Sequence, residues 1–434
     1  MQPSLNKKPV DKKYKDIFFL MLLFGIFIRI VIGIGYYNPQ DTLWYKTWAV
    51  GLDDGIFNVY SRAEALSLDY PPIYLFFLKL TGAFYGVIGE DFSSYTEMFL
   101  MKMWPIIGDV ICATALFWVF KNKSPKTGLV ASALWMFNPS GLFNSAFWGQ
   151  TDAIMCLMLL VSFVALERDR PLLASVLFAL AGMTKYQCLF FTPLFLTELF
   201  VKCGIIKFIK GIGAAAVTVA AVFLPFMIGS NNPLLFFDVY LGGQGTYPYC
   251  TLSAYNIYGV FGLNWVEDSL GTPSLYSLSF VLIAILVVLL ILAYIYAKNR
   301  SVWVLGFLFM NTLFMFMTRM HERYQFVVLI FILMAALVHR HRGFFYCFIA
   351  TTFITFVNQV IPMFAWRSAD AGKAFPQYFY SAESVFNAWY DELMVFFSIV
   401  NILIYVVSTY IAIKFMFKKS NNYKNEKIIK EEEV

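Results

Sequence analysis

Ionisable side chains are scarce in this chain: Asp, Glu, Lys and Arg make up only 14% of its 434 residues, and there are three histidines. A soluble domain carries about 25% charged residues, so a water-facing globular fold is excluded. Cysteine is sparse too. Cys112, Cys156, Cys188, Cys203, Cys250 and Cys347 show no paired spacing and lie mostly in apolar stretches, which removes a disulfide framework and a thiolate metal site. The net charge of +6 is spread over short runs, so no basic surface of the kind that binds nucleic acid is present. What abounds is apolar: 60% of residues are hydrophobic and 19% aromatic. The reading is an all-α polytopic membrane protein with no room for a sizeable soluble domain.

Apolar runs of membrane length recur over 17–35, 98–120, 127–145, 152–166, 171–184, 188–201, 209–228, 276–297, 301–318, 324–338, 343–362 and 393–417. They predict a bundle of about twelve transmembrane helices. Several are shorter than the roughly 20 residues a full crossing needs, notably those flanking Lys185. Short spans can end inside a bundle where the chain lines a protein cavity. The first run follows Lys7, Lys8, Lys12, Lys13 and Lys15 and ends in Tyr36-Tyr37-Asn38, not in a small-residue cleavage site. It reads as a retained signal anchor.

Every second connection is basic. By the positive-inside rule the cytoplasmic side takes the N-terminal segment 1–16, Lys121–Lys126, Arg168 and Arg170, Lys202–Lys210, Lys298–Arg300, His339–Arg342 and the polar tail 418–434. The outer side of the cell membrane takes 36–97, 139–151, 185–187, 229–275, 319–323 and 363–391, with one membrane domain over 17–417. The long first outer loop, 36–97, contains an apolar stretch that opens with Pro71-Pro72 and holds Lys79. If it crossed the membrane, every later basic loop would face outward, so it reads as a helix lying in the interface. Asp41, Trp44, Tyr45 and Trp48 recur at helical spacing on one face. The loop thus holds two interfacial helices, each with an aspartate near its start.

On this topology the polar residues collect on the outer side: Asp41, Asp69, Trp148-Gly149-Gln150-Thr151-Asp152, Lys185-Tyr186-Gln187, Ser253–Asn256 and Arg319–Tyr324. Arg29, Lys102 and Asp109 lie inside apolar runs, where a central charge costs about 2.5–3.5 kcal/mol. Lys102 and Asp109 are two helical turns, about 10.5 Å, apart, and bonding between helices is the simpler role for them. Asp152 is also placed to cap a helix, and Lys185 could extend to headgroups. A carboxylate among aromatics at the lip of a membrane bundle is a candidate general base for chemistry on a lipid-borne substrate. Asp41 is the first such residue and Asp69 the second.

The order of these elements resembles the GT-C class of polyprenyl-phosphate-sugar-dependent glycosyltransferases, over roughly residues 15–340. The elements are an Asp before an aromatic interfacial helix, Asp69-Tyr70-Pro71-Pro72, Trp148-Gly149-Gln150-x-Asp152, Lys185-x-Gln187 and His321-Glu322-Arg323-Tyr324. The likeness is strongest to prokaryotic relatives of the dolichyl-phosphate-glucose glucosyltransferases. It implies a GT-C-like bundle, Asp41 as catalytic base, and Lys185 and His321 near the donor phosphate. The departing lipid phosphate needs positive charge, which Lys185, Arg319, His321 and Arg323 can supply, with Glu322 orienting Arg319 or His321. Gln150, Asp152, Gln187, Tyr45, Trp48 and Trp148 are expected to bind or orient substrate, and Tyr255 to stack on sugar or line the lipid groove. Single displacement with one base inverts the anomeric centre. No Asp-x-Asp follows Asp41; Asp53-Asp54 is a possible substitute, but adjacent carboxylates are also common in turns, so no essential metal and no other cofactor is expected.

The expected partners are a polyprenyl-phosphate hexose donor, an acceptor hydroxyl on a lipid-linked glycan, envelope polymer or protein, and membrane lipids, with no nucleic acid. The alternatives are a transporter or flippase, and a surface-polysaccharide polymerase or ligase. A transporter places charges near mid-membrane, often in inverted repeats, and no repeat is evident here.

Overall fold

The computed structural model describes residues 12–35, 39–88, 95–242, 247–370 and 389–418. The residues group into two compact units, one within Met1–Gln244 and one within Gly245–Tyr423. The segment 1–11, most of the expected outer loop 363–391 and the tail beyond 418 lie outside the described residues.

The first unit opens with α1 (Lys12–Gly35), whose buried residues Gly25, Arg29 and Gly33 form one stripe at four-residue spacing. A side chain at Gly25 or Gly33 would meet Met136 or Ile106, so the small residues let α1 lie close to its neighbours. Close packing brings Arg29 onto Asp109 of α5 (Tyr95–Phe120). Nε and Nη2 of Arg29 donate to Asp109 Oδ2 at 3.0 and 2.7 Å, and Ser145 Oγ donates to the same oxygen at 2.8 Å. The intramembrane charges thus pair with each other, and Lys102 does not pair with Asp109. Lys102 Nζ instead donates to the Gly33 carbonyl at 3.2 Å, in the last turn of α1, where helix carbonyls lack intrahelical partners.

Two of the expected interfacial segments are helical: α2 (Pro39–Gly51), with Asp41 in its first turn, and α4 (Pro72–Ile88), which starts at the second proline of the Asp-Tyr-Pro-Pro motif. Proline suits a first helical turn because its missing N–H would have no partner there. Between them the short α3 (Ala63–Leu66) ends at Ser67 in the left-handed region. Tyr45, Trp48, Ala49 and Leu52 pack with Tyr74, Leu75 and Leu78 into one core cluster.

The expected run 127–145 is not one helix. Ser124 caps α6 (Pro125–Met136), accepting from Thr127 N at 3.2 Å. Asn138-Pro139 then breaks the helix: Asn138 Oδ1 caps the turn α7 (Pro139–Gly141) by accepting from Gly141 N. A π-helical turn follows over Leu142–Trp148. Next come α8 (Asp152–Glu167) and α9 (Pro171–Thr184), a 3-10 segment over Tyr186–Phe191, and α10 (Thr192–Gly229). The expected runs 188–201 and 209–228 lie on either side of a kink at Gly204, whose φ of 73° and ψ of 173° are not helical. The unit closes on α11 (Leu235–Gly242).

In the second unit, the short α12 (Ile257–Val260) precedes α13 (Leu275–Tyr296), which buries only Ser279, Ile283 and Tyr294. By contrast α14 (Val302–Phe316) and α15 (Val328–Val338) are buried almost throughout. A helix apolar on all sides belongs in the interior. Both pack with α16 (Arg342–Asp370) or α17 (Tyr390–Phe417).

Among the described residues, six helical segments are long and apolar enough to cross a membrane: Lys12–Gly35, Phe99–Phe120, Tyr186–Gly229, Leu275–Tyr296, Arg342–Ala365 and Tyr390–Phe417. Pro72–Phe84, Pro171–Thr184, Val302–Phe316 and Tyr324–Val338 are shorter apolar helices. The chain is an all-α polytopic membrane protein; the Asn-Pro break splits the expected run 127–145, and several buried runs are shorter than a full crossing.

Losing either partner of the Arg29–Asp109 pair strands a charge at a site with no exposure. Arg29→Met or Asp109→Asn is expected to cost about 3–5 kcal/mol, and the paired replacement Arg29→Met with Asp109→Leu distinctly less. Thermal unfolding in detergent measures both, and equal losses for single and paired replacements would contradict the account.

Candidate active site

Asp41 is half-buried at the start of α2. Trp148 Nε1 and Gln150 Nε2 both donate to its Oδ2, at 2.5 and 3.1 Å. The two donors stand on either side of Gly149, which ends the π-helical turn with φ 88°. Backbone N–H groups of Gly149 and Gln150 converge on the Asn144 carbonyl at 3.1 and 2.9 Å. A Cβ at Gly149 would sit 2.8 Å from Lys102 Cγ, so glycine is required there for both its backbone angle and its lack of a side chain. Single-turn π-bulges recur at functional sites; this one turns Trp148 and Gln150 together onto one carboxylate oxygen.

The same five residues reach three further partners. Thr151 Oγ1 lies 3.3 Å from the Tyr70 hydroxyl, which lies 3.1 Å from that of Tyr45. Asp152, the first residue of α8, pairs with Lys185, just past the end of α9, and its other oxygen accepts from Asn144 Nδ2 at 2.9 Å. Both charged groups are buried. Lys185, expected to face the donor phosphate, is therefore neutralised by Asp152, because an ammonium this buried demands a counter-charge.

The expected aromatic platform is also placed differently. Tyr45 and Trp48 are 4% and 3% exposed. Trp48 Nε1 donates to the Leu66 carbonyl at 2.8 Å. Burial first, then the neighbouring Tyr70, Tyr74 and Asp41, hold the Tyr45 phenol well above its ordinary range. Both residues are thus packed within the first unit. Trp148 is buried at 6% exposure.

Asp69 is exposed. Its charge acts on the Tyr60 phenol, which burial above all, then Tyr240 and Asp69, push well above its usual value. The residue that its motif delivers to the site is Tyr70. Gln187 is buried, and its Oε1 has no hydrogen-bond partner among the described residues. Asp53 and Asp54 are taken up by Lys79 and Arg62 at 2.7 and 2.6 Å. Among the described residues, no group of three or more His, Cys, Asp or Glu side chains is gathered as metal ligands would be.

In the second unit, Met320–Glu322 pairs with an extended segment around Leu252: Leu252 N donates to the Met320 carbonyl at 2.9 Å, and Glu322 N to the Leu252 carbonyl at 3.2 Å. Arg319 has φ 63° and is clasped by Asp268, with Nε to Oδ2 at 2.7 Å and Nη2 to Oδ1 at 3.2 Å. Its guanidinium also stacks 4.1 Å above Tyr276. Glu322 does not orient Arg319. It pairs with Arg323 at 2.9 Å and with His321 at 3.7 Å. His321 lies edge-on to Tyr247. Burial pushes the Glu322 carboxyl up, but the His321 hydrogen bond and the charges of Arg323 and His321 outweigh it and hold the group below its ordinary range. Tyr255 is buried and stacked on Phe397, away from any role as an open platform.

Asn144, Tyr70 and Asp268 were not anticipated. Tyr70 stood inside a recognised motif; Asn144 and Asp268 carried no spacing signal, since their partners are defined by packing.

Helices of this composition, one of them headed by a hydrogen-bonded carboxylate outside the long apolar segments, belong to a membrane-embedded protein. Family-level comparison identifies it: residues 69–319, more than half of the chain, match glycosyltransferase family 87, and the chain belongs to that family. It is a membrane glycosyltransferase. The matched stretch includes Asp69, Trp148, Gln150, Asp152, Lys185 and Gln187, and ends at Arg319; Asp41 and His321–Arg323 lie outside it. No curated protein matches the sequence.

Two outcomes follow from this geometry. Gly149→Ala is expected to destabilise by about 1–3 kcal/mol through its left-handed backbone and to reduce transfer. Gly213→Ala, in open space on α10, should leave both intact; equal behaviour of the two in unfolding and turnover assays contradicts the account. Second, the folded-state pKa of Glu322 is depressed, so its contribution to stability is present above the ordinary glutamate pKa and is lost as pH falls through the folded-state value. Glu322→Gln should flatten the acid limb of a stability–pH profile, and an unaltered limb would count against the assignment.

Proposed function

We propose that this family 87 enzyme moves a hexose from a polyprenyl-phosphate donor to an acceptor hydroxyl at the outer face of the cell membrane. In this reading both termini are cytoplasmic and the bundle is GT-C-like. The observation that carries the reading is the orientation of Asp41 by Trp148 and Gln150. Neither N–H donor can take up a proton from substrate, so both serve to aim the carboxylate.

The acceptor hydroxyl attacks the anomeric carbon while Asp41 takes its proton. A new glycosidic C–O bond forms, the bond from the anomeric carbon to the phosphate oxygen breaks, and polyprenyl phosphate leaves with the electron pair. One displacement inverts the anomeric configuration, and general-base help of this kind is worth about 10²–10⁴-fold. No metal or other cofactor takes part in this scheme. Lys185, with Asp152 as its resting counter-ion, is the phosphate-directed cation of the first unit. In the second unit His321 and Arg323 are assigned to the donor phosphate, while Arg319 holds Asp268. Gln150 and Trp148 orient the base. Asp69 takes a secondary role at the mouth of the loop, and Gln187 offers its amide to substrate. The acceptor is a lipid-linked glycan, an envelope polymer or a protein.

Asp41→Asn tests the reading directly. Transfer from a polyprenyl-phosphate hexose should fall about 10²–10⁴-fold in kcat with donor binding retained. Turnover that survives the change intact rejects Asp41 as the base.

A further inference from the structure

The second unit carries a set of side-chain amides embedded among apolar helices, most of them beyond the family match, which ends at residue 319. Asn358 of α16, Asn401 of α17 and Gln325 have no exposure, and Asn311 of α14 has 1%. Asn358 uses both ends of its amide on one stretch of backbone: Oδ1 accepts from Tyr255 N at 3.0 Å, and Nδ2 donates to the Ser253 carbonyl at 2.7 Å. A side chain here does what a neighbouring strand would do. Its orientation is forced, since exchanging O and N would set donor against donor and acceptor against acceptor.

Asn401 Nδ2 donates to the Tyr255 carbonyl at 2.7 Å and to Gln325 Oε1 at 3.1 Å. Gln325 Nε2 donates in turn to Asn401 Oδ1 at 3.1 Å and Asn311 Oδ1 at 3.0 Å. Ser253 sits at φ 59°, a strained angle that persists only where its surroundings over-determine it. Those surroundings are named: Asn264 Oδ1 takes the Ser253 N–H at 2.8 Å, and the Tyr390 hydroxyl donates to Ser253 Oγ at 2.8 Å.

The clasped segment is the one that holds the His321 loop. Leu252 and Ser253 bridge to His321, and Leu252 exchanges backbone hydrogen bonds with Met320 and Glu322. Amides are costly in apolar surroundings unless fully bonded, and helices can associate there through packing of small and apolar residues. Here the amides of Asn358 and Asn401 instead converge on a non-helical strip that carries a charged loop. We infer that Asn358 is a positioning residue for the transfer reaction, clamping Ser253–Tyr255 so that the Leu252 edge presents His321, Glu322 and Arg323 in register. This deepens, and rests on, the assignment of His321 to the donor phosphate.

The test is a double-mutant cycle on the full chain in lipid nanodiscs, titrated with undecaprenyl phosphate as the phosphate probe. His321→Ala and Asn358→Leu should each weaken binding about ten-fold, and the double variant scarcely more than either, because the two act through one loop. Thr355→Val, a buried hydroxyl of the same helix with no hydrogen-bond partner among the described residues, should bind the probe as the native chain does. Multiplying losses in the double variant, or native affinity in Asn358→Leu, overturns the inference while leaving the His321 assignment standing. Native affinity in His321→Ala removes both. Should Asn358→Leu fail to fold, Asn401→Leu enters the same cycle through the Tyr255 carbonyl, with the same outcomes deciding.

Discussion

Two N–H groups on one oxygen of Asp41 organise the first unit. Trp148 and Gln150 can both reach that oxygen only because the residue between them adopts a left-handed backbone, which in turn needs the space left by a missing side chain beside Lys102. The π-helical turn before Gly149 is the device that supplies this geometry, with the Asn144 carbonyl gathering the two backbone N–H groups that the turn frees. Remove any one part and the indole and the amide no longer share a target.

Burial of charge follows a consistent rule through the molecule. Arg29 meets Asp109, Lys185 meets Asp152, and Arg319 meets Asp268. In low-dielectric surroundings an ion without a partner is far more costly than a pair, and these three couples avoid that cost, while the buried Lys102 ammonium donates to the Gly33 carbonyl. The consequence for chemistry is that the cations are already partnered. On the proposed assignment, a phosphate at Lys185 competes with Asp152 and one at Arg323 and His321 with Glu322.

Much of the architecture was legible in the residues. The membrane class, the pair of helices in the first long loop and their aspartates follow from hydropathy, helical spacing and the proline pair at 71 and 72. Breaks inside an apolar run were not, because hydropathy averages over a window and cannot see that Asn138-Pro139 ends a helix. The partners of the aromatic residues were not legible either: the Tyr45 hydroxyl and the Trp48 indole bond to Tyr70 and Leu66 inside the unit.

The sequence alone determined the class of solvent this chain inhabits and which short motifs carry its scarce polar chemistry, because composition and periodicity are local properties. Only the tertiary structure decided who partners whom: that Trp148 and Gln150 serve Asp41, that Asp152 takes Lys185, that Asp268 takes Arg319 and that Asn358 stands in for a strand. Partners separated by tens of residues or more are chosen by the cost of leaving buried donors, acceptors and charges unpaired, a cost that takes effect only after the helices have packed.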